Sequence, residues 1–180
     1  MDETVQMVAE FFRAFKMEVP DRPSVPLPNM DDEDRLMQLS EDMERIAERC
    51  WGLARRTADK RIAGLFLRLQ LIQEETAELA AAMASADLRE YLDAMSDLQY
   101  VVDNAYVAFG LRHLKMPAFR EVHLSNMSKL TADGKPIFDE AGRVQKSDQF
   151  RVPDFNKVLE EDRCEESSTD ACSEDSSGQS

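Results

Sequence analysis

Residues 71–79 read Leu-Ile-Gln-Glu-Glu-Thr-Ala-Glu-Leu, so three carboxylates recur inside an otherwise apolar helical pattern. Glu75 and Glu78 are three residues apart, and Glu74 precedes Glu78 by four, which places all three on one face of a helix. Like charges at this spacing repel each other and weaken a helix unless a positive charge lies between them. The stretch therefore predicts a helix with a face suited to a cation.

A second run, Tyr-Leu-Asp-Ala-Met-Ser-Asp-Leu-Gln-Tyr at residues 91–100, repeats the pattern with Asp93 and Asp97 four residues apart. Two helices joined by a short connection pack antiparallel, so both carboxylate rows can point at one place. Hard oxygen ligands without His or Cys suit magnesium, manganese or calcium better than zinc. We therefore expect a divalent cation site between these two helices.

The hydrophobic periodicity predicts an all-α antiparallel helical bundle. The predicted helices cover about 3–16, a second helix that begins in the acidic cluster 31–34, and then 61–84, 88–109 and 118–130. Asp87 is the expected N-cap of the fourth helix, Gly110 its expected end, and Pro117 opens the fifth. Residues 135–146 are typical of a small C-terminal β-hairpin. We expect one domain at 1–158, with 31–60 as an extra helix.

The charge is uneven along the chain, whose formal net charge is −14. Residues 160–180 hold eight acidic residues and one arginine, a charge of −7. This serine-rich segment has almost no large apolar residue, so residues 159–180 are expected to be a disordered acidic tail. The remainder is still acidic, so no direct nucleic-acid binding is expected, because phosphate backbones need basic patches.

The cysteines and the N-terminus indicate a cytoplasmic protein. Cys50, Cys164 and Cys172 form neither a disulfide framework nor a zinc spacing, which favours a reducing compartment. The N-terminus is acidic and lacks the basic and apolar regions of a secretory signal. The longest apolar run is far too short to span a membrane, so no membrane partner is expected.

Other polar and aromatic side chains leave alternatives open. Tyr100 and Asn104 continue the stripe of Asp93 and Asp97 at steps of three and four. Tyr100 is expected to be half buried with its hydroxyl bonded to a carboxylate, and stacking on a ligand is its alternative. Asn104 is either a substrate contact or a buried polar link. Trp51, beside the apolar seam of the second helix, is expected to serve packing or an interface.

A glutamate pair followed by a second glutamate three residues on, and then a helix with an aspartate before apolar residues, resembles the all-α nucleoside triphosphate pyrophosphohydrolases. These are the MazG-like, dimeric dUTPase-like and phosphoribosyl-ATP pyrophosphohydrolase-like proteins. The resemblance rests on residues 74–79 and 97–102, with further likeness at 121–130, 133–135 and 153–155. It covers about 5–28 and 66–155. The MazG pattern has a glutamate where this chain has Ala94, so Asp93 or Glu90 would replace that ligand.

The resemblance implies a metal-dependent hydrolase that converts a (d)NTP, such as dUTP or a non-standard nucleotide, to the monophosphate and pyrophosphate. Mg²⁺, or alternatively Mn²⁺, would be held by Glu75, Glu78 and Asp97 with Asp93 assisting. Glu74 and Glu75 are the catalytic candidates, and which glutamate is the general base stays open. The implied substrate-binding residues are Tyr100, Asn104, Asn126 and Lys129. A homodimer or homotetramer is also implied.

Two other kinds of protein share parts of this pattern. A non-catalytic helical interaction module with a degenerate metal site would use the second helix and the tail. A di-iron carboxylate bundle is disfavoured, because neither His113 nor His123 follows a glutamate by three residues.

Overall fold

The computed structural model describes residues 2–163 and is helical through most of them. Its helices are α1 Glu3–Ala14, α2 Met30–Arg56, α3 Lys60–Ser85, α4 Leu88–Ala108, a short 3₁₀ helix at Arg112–Leu114, α5 Lys115–Met127, and α6 over 155–163. The chain forms two compact units, Pro20–Gly110 and a second unit that joins Met1–Val19 to Leu111–Ser180. The prediction of an all-helical fold is confirmed.

Short polar side chains set the beginnings of the helices. Asp2, Asn29, Asp59 and Asp87 each accept hydrogen bonds from backbone N–H groups in the first turn that follows. These groups have no partner inside the helix, so a capping carboxylate or amide oxygen satisfies them. The expected N-cap at Asp87 is confirmed, and Gly110, after the end of α4, has a φ of 74°.

The unit Pro20–Gly110 is built around α3, which packs against both α2 and α4. The hydroxyl of Ser40 on α2 donates to the carbonyl oxygen of Ala77 at 2.8 Å, which fixes the register of α2 on α3. The buried apolar residues of this unit are nearly all alanines: Ala47, Ala54, Ala77, Ala80, Ala82, Ala84, Ala94 and Val101. Small side chains let the helix backbones approach closely.

Several of the larger apolar residues lie at the surface of this unit. Ile62, Leu65 and Leu69 on α3 are exposed, as are Leu88, Leu92 and Met95 on α4 and Phe109 directly after it. Three helices side by side present more apolar surface than they can cover, because α3 has neighbours on only two sides.

The second unit packs α1 against α5. Arg120 donates to Glu3 at 2.7 Å across the two helices, and the His123 ring nitrogen lies 3.2 Å from a Glu10 carboxylate oxygen. Phe15 is fully buried. These contacts join the N-terminal helix to a segment more than a hundred residues away in sequence.

Glu121 on α5 is a buried carboxylate that organises the segment after it. It accepts hydrogen bonds from the Arg151 guanidinium and, at 2.9 Å, from the backbone N–H of Asp154. These bonds to the charged form lower the pKa of Glu121, the Arg151 bond being the largest cause. Glu121 thus fixes the chain where it enters α6.

The predicted β-hairpin at 135–146 is not confirmed. Within residues 2–163 this segment forms no strand, only one antiparallel bridge between Phe138 and Val144. The Asp139 carboxylate accepts from the backbone N–H groups of Ala141 and Arg143. Two backbone bonds also link the arms, from the Asp139 N–H to the Arg143 carbonyl at 3.0 Å and from the Gln145 N–H to the Ile137 carbonyl at 2.8 Å. Pro136 also lacks the N–H that a ladder needs.

The C-terminal segment was predicted to lose structure at residue 159, but α6 continues to residue 163. The remainder of the predicted acidic tail, 164–180, lies outside the described residues. Of the helices described, none combines the length and apolar character that a membrane crossing needs.

Candidate metal centre

Carboxylates from α3 and α4 meet where the two helices run antiparallel. One oxygen atom each of Glu75, Glu78 and Asp97 lies within 4.8 Å of the others. The connection between the helices is only the pair Ala86 and Asp87, so the helices must fold back on each other directly. The predicted convergence of the two acidic rows is therefore confirmed for these three residues, which we call the carboxylate cluster.

A second polar pair joins α3 and α4 two helical turns away from the carboxylate cluster. Arg68, seven residues before Glu75, donates to the side-chain oxygen of Asn104, which lies seven residues after Asp97. Seven residues are about two turns, or roughly 10 Å, on each helix. Because the separation is seven residues on both helices, α3 and α4 stay aligned in the same way from the carboxylate cluster to this pair.

The electrostatics of the cluster oppose full ionisation of Glu75. Burial raises the pKa of Glu75 above its ordinary value, and the charges of Glu78, Asp97 and Glu74 raise it further. Glu78 and Asp97 are exposed, whereas Glu75 is half-buried. A cation bound among the three would reverse this repulsion.

The donor set fits a hard divalent cation. All three side chains offer carboxylate oxygens, the ligands that Mg²⁺, Mn²⁺ and Ca²⁺ prefer, and no sulfur or imidazole nitrogen belongs to the cluster. Three protein oxygens leave further coordination positions for phosphate and water. This arrangement differs from a structural zinc site, in which protein side chains fill all positions.

The other predicted acidic ligands lie outside the three-residue cluster. Glu74 is exposed and accepts a hydrogen bond from Gln70 at 2.6 Å, one turn earlier on α3. Glu90 accepts from the Ser85 hydroxyl at 2.8 Å, which ties it to the end of α3. Asp93 is exposed on α4. The structure does not bring Asp93 or Glu90 into the cluster, so the choice between them as fourth ligand stays a prediction.

The predicted substrate-binding residues fall in both units. Tyr100 is 73 % exposed, so its expected half-burial is wrong, while its alternative as a stacking surface stays open. Asn104 forms the polar link to Arg68. Asn126 and Lys129 belong to the other unit, where the Lys129 ammonium donates to the Asn126 side-chain oxygen at 2.8 Å.

The sequence interpretation missed several residues beside the cluster. Trp51, Gln70, Glu44 and Glu48 border a groove between α2 and α3 that also includes Glu74 and Glu78. Trp51 is 47 % exposed and is therefore not packed into a core. The available signal was the common spacing of Glu44, Glu48 and Trp51 on one face of α2, but only the packing shows which face of α3 it meets.

Comparison with known families gives one match. Residues 40–126 match the family model for phosphoribosyl-ATP pyrophosphohydrolase. The match includes the carboxylate cluster and indicates a pyrophosphohydrolase activity, in a family that depends on a divalent metal. Neither the comparison with curated proteins nor that with solved structures gives a match.

Proposed function

We propose, on the premise that residues 40–126 belong to the all-α nucleoside triphosphate pyrophosphohydrolase superfamily, that this protein hydrolyses a (d)NTP to the monophosphate and pyrophosphate. The observation that carries the proposal is the convergence of Glu75, Glu78 and Asp97 within 4.8 Å. A triphosphate carries about four negative charges, so carboxylates in this position repel it unless a cation lies between them.

The metal fits this site as the resident cofactor. Bound Mg²⁺, or Mn²⁺, would neutralise phosphate oxygens and lower the pKa of a water molecule. Glu75, Glu78 and Asp97 would hold the cation, with Asp93 as an assisting ligand. The half-buried position of Glu75 keeps it anchored between the two helices.

Glu74 is the proposed general base, with Glu75 as the alternative. Gln70 holds one Glu74 oxygen at 2.6 Å, which fixes the carboxylate beside the cluster and leaves its second oxygen available to a water proton. A water activated there would attack the α-phosphorus and release pyrophosphate.

Four further side chains are proposed to contact the substrate. Tyr100, three residues after Asp97, presents an exposed ring, and Asn104 offers an amide held in place by Arg68. Lys129 supplies a point charge for phosphate, and Asn126 a hydrogen-bonding amide. Their roles rest on the family resemblance.

A homodimer, or a tetramer of two dimers, is also proposed. Leu88, Leu92 and Met95 form an exposed apolar stripe along α4, distinct from the buried face of Ala94 and Val101. A second copy of the chain would cover this stripe and complete a bundle that three helices leave open.

The test of the activity is pyrophosphate release from a panel of nucleotides that includes dUTP and non-standard bases. We expect release with Mg²⁺, none with a chelator, and a monophosphate as the second product. Asp97→Asn should lower the rate by at least about 100-fold, as loss of a ligand or its support does. Absence of release from every nucleotide would instead favour the non-catalytic helical module.

A further inference from the structure

A groove of about 510 Å³ runs between α2 and α3 beside the carboxylate cluster, and Trp51 borders it. Glu78, a member of the cluster, borders the same groove. We propose that this Trp51 groove holds the nucleobase of the substrate, stacked on the indole, and that it favours bases with an exocyclic amino group. The inference rests on the proposed function and assigns a base-binding role to α2.

The distance between the indole and the cluster suits a nucleotide. Trp51 also borders a depression lined by Gly64 and Leu67 of α3, which places it level with the N-terminal half of that helix. From residue 67 to Glu75 is eight residues, or about 12 Å along the helix axis. A nucleotide with its phosphate chain spans a separation of this size, so a base on the indole puts the phosphates within reach of the cluster.

One side of the indole is available to a base. The Arg55 guanidinium carbon lies 6.0 Å from the ring centroid of Trp51. Arg55 borders the neighbouring depression with Lys60 and Gly64, not the groove that leads to the cluster. Arg55 therefore does not line the groove, and the indole is 47 % exposed. Stacking on an aromatic ring tolerates every base, because each has a π-face.

The walls of the groove supply acceptors. Glu44 and Glu48 on α2 border it, and an ionised carboxylate accepts hydrogen bonds but donates none, whereas Glu74, also on its border, is the proposed general base. Gln70 uses its amide nitrogen on Glu74, so its carbonyl oxygen adds another acceptor. The amino groups of adenine, cytosine and guanine match such walls, whereas the two carbonyls of uracil meet like partial charges. The same carboxylates repel phosphate, which directs the triphosphate to the cluster end.

Trp51 is the single tryptophan of the chain, so its fluorescence reports directly on the groove. We would titrate the protein in Mg²⁺ with the α,β-imido analogues of dATP, dCTP and dUTP, and with tripolyphosphate as the baseless control. Saturable quenching is expected from the nucleotide analogues and not from tripolyphosphate, with dATP or dCTP acting at lower concentrations than dUTP. Equal quenching by tripolyphosphate, or no quenching by any analogue, would overturn the proposal. A dUTP analogue that binds tightest would overturn the selection of amino groups.

Variants give a second readout by calorimetry. Trp51→Ala should raise the Kd of the dCTP analogue about 5- to 150-fold, the range expected for one lost stacking contact, and Trp51→Phe should restore most of it. Ile46→Ala is the matched control, because Ile46 is 46 % exposed on the same helix and does not border the groove. An unchanged Kd in Trp51→Ala, with helical circular dichroism intact, would refute the base site.

The two proposals fail separately. Pyrophosphate release by the wild type without any quenching would keep the proposed function and remove the base site. Quenching without pyrophosphate release would keep the base site and remove the proposed function. In Trp51→Ala, KM should rise while kcat stays within a few-fold, because the indole contacts the base and not the reacting phosphates.

Discussion

Glu75 combines its proposed role as a metal ligand with a loss of stability. Its carboxylate is half-buried and faces Glu78 and Asp97, and burial together with these charges raises its pKa. Without a cation, ionised Glu75 destabilises the fold. Such a conflict is expected where a carboxylate is placed to bind a metal and not to stabilise a helix.

We expect Glu75→Gln to raise the melting temperature of the metal-free protein at neutral pH by about 1–4 °C, because it removes two like-charge contacts of about 0.2–0.5 kcal/mol each. The same change should abolish the additional stabilisation that Mg²⁺ gives the wild type, about 2.7 kcal/mol at a hundredfold excess over its Kd. Thermal melts with and without Mg²⁺ measure both. A variant that is stabilised by Mg²⁺ as strongly as the wild type would contradict this role.

In contrast to Glu75, Glu121 stabilises the fold when its carboxylate is ionised. The Arg151 bond and the Asp154 N–H keep its folded-state pKa below the ordinary value. The stabilisation that ionised Glu121 gives the fold is therefore present at pH values above its ordinary pKa. It is lost as the pH falls through the lower pKa of the folded state. Glu121→Gln should lower stability at neutral pH and flatten the decline of stability in acid.

Denaturant unfolding at several pH values between neutral and acid measures this effect. Glu140→Gln is the control, since Glu140 is exposed in the turn after Asp139. If the acid decline of Glu121→Gln were as steep as that of the control, the assigned partners of Glu121 would be wrong.

The turn between α3 and α4 sets the register of the cluster and carries strain. Ala86 ends α3 with a φ of 52°, in the left-handed region where glycine is the usual residue. Ala86→Gly should therefore stabilise the protein by about 1 kcal/mol, or about 2–4 °C. Ala81→Gly, inside α3, should instead destabilise it by about 0.5–1 kcal/mol. Calorimetric melts of both variants check the sign, and a destabilised Ala86→Gly would contradict the assigned backbone.

The positions of the helices could be predicted from the sequence, because hydrophobic periodicity and capping residues indicate the same helix ends. Hydrophobic periodicity gave α3 to within one residue at each end, and Asp87 and Gly110 bounded α4 as expected. The start of α5 was missed by three residues because Pro117 is tolerated inside the first turn, not only at its opening. The predicted hairpin is reduced to a turn at Asp139, because the arms on either side of it form only one isolated bridge.

The carboxylate cluster was predictable for a similar reason. Glu75, Glu78 and Asp97 lie on regular helices joined by a two-residue turn, so spacing alone brings them together. The roles of Arg68, Gln70 and Trp51 were not predictable, because each depends on which face of a neighbouring helix it meets. The burial of the large apolar side chains could not be predicted either, because periodicity marks an apolar face without showing what covers it.

For the whole molecule, the alanine-rich interior implies that a further surface is needed to bury the large apolar side chains. Leu92 is 66 % exposed at the centre of the α4 stripe. We expect the wild type to sediment at a multiple of the 20.5 kDa chain mass, and Leu92→Arg to shift it toward the monomer. A monomeric wild type at micromolar concentration would exclude the proposed dimer.

The most direct test of the account is Mn²⁺ binding followed by electron paramagnetic resonance, in the wild type and in Asp97→Asn. Asp97 joins the cluster from a different helix than Glu75 and Glu78, so its loss tests the convergence itself. We expect saturable Mn²⁺ binding by the wild type and about 10- to 100-fold weaker binding by Asp97→Asn, with Mg²⁺ competing for the site. Equal Mn²⁺ affinity in the two proteins would contradict a cation held between α3 and α4.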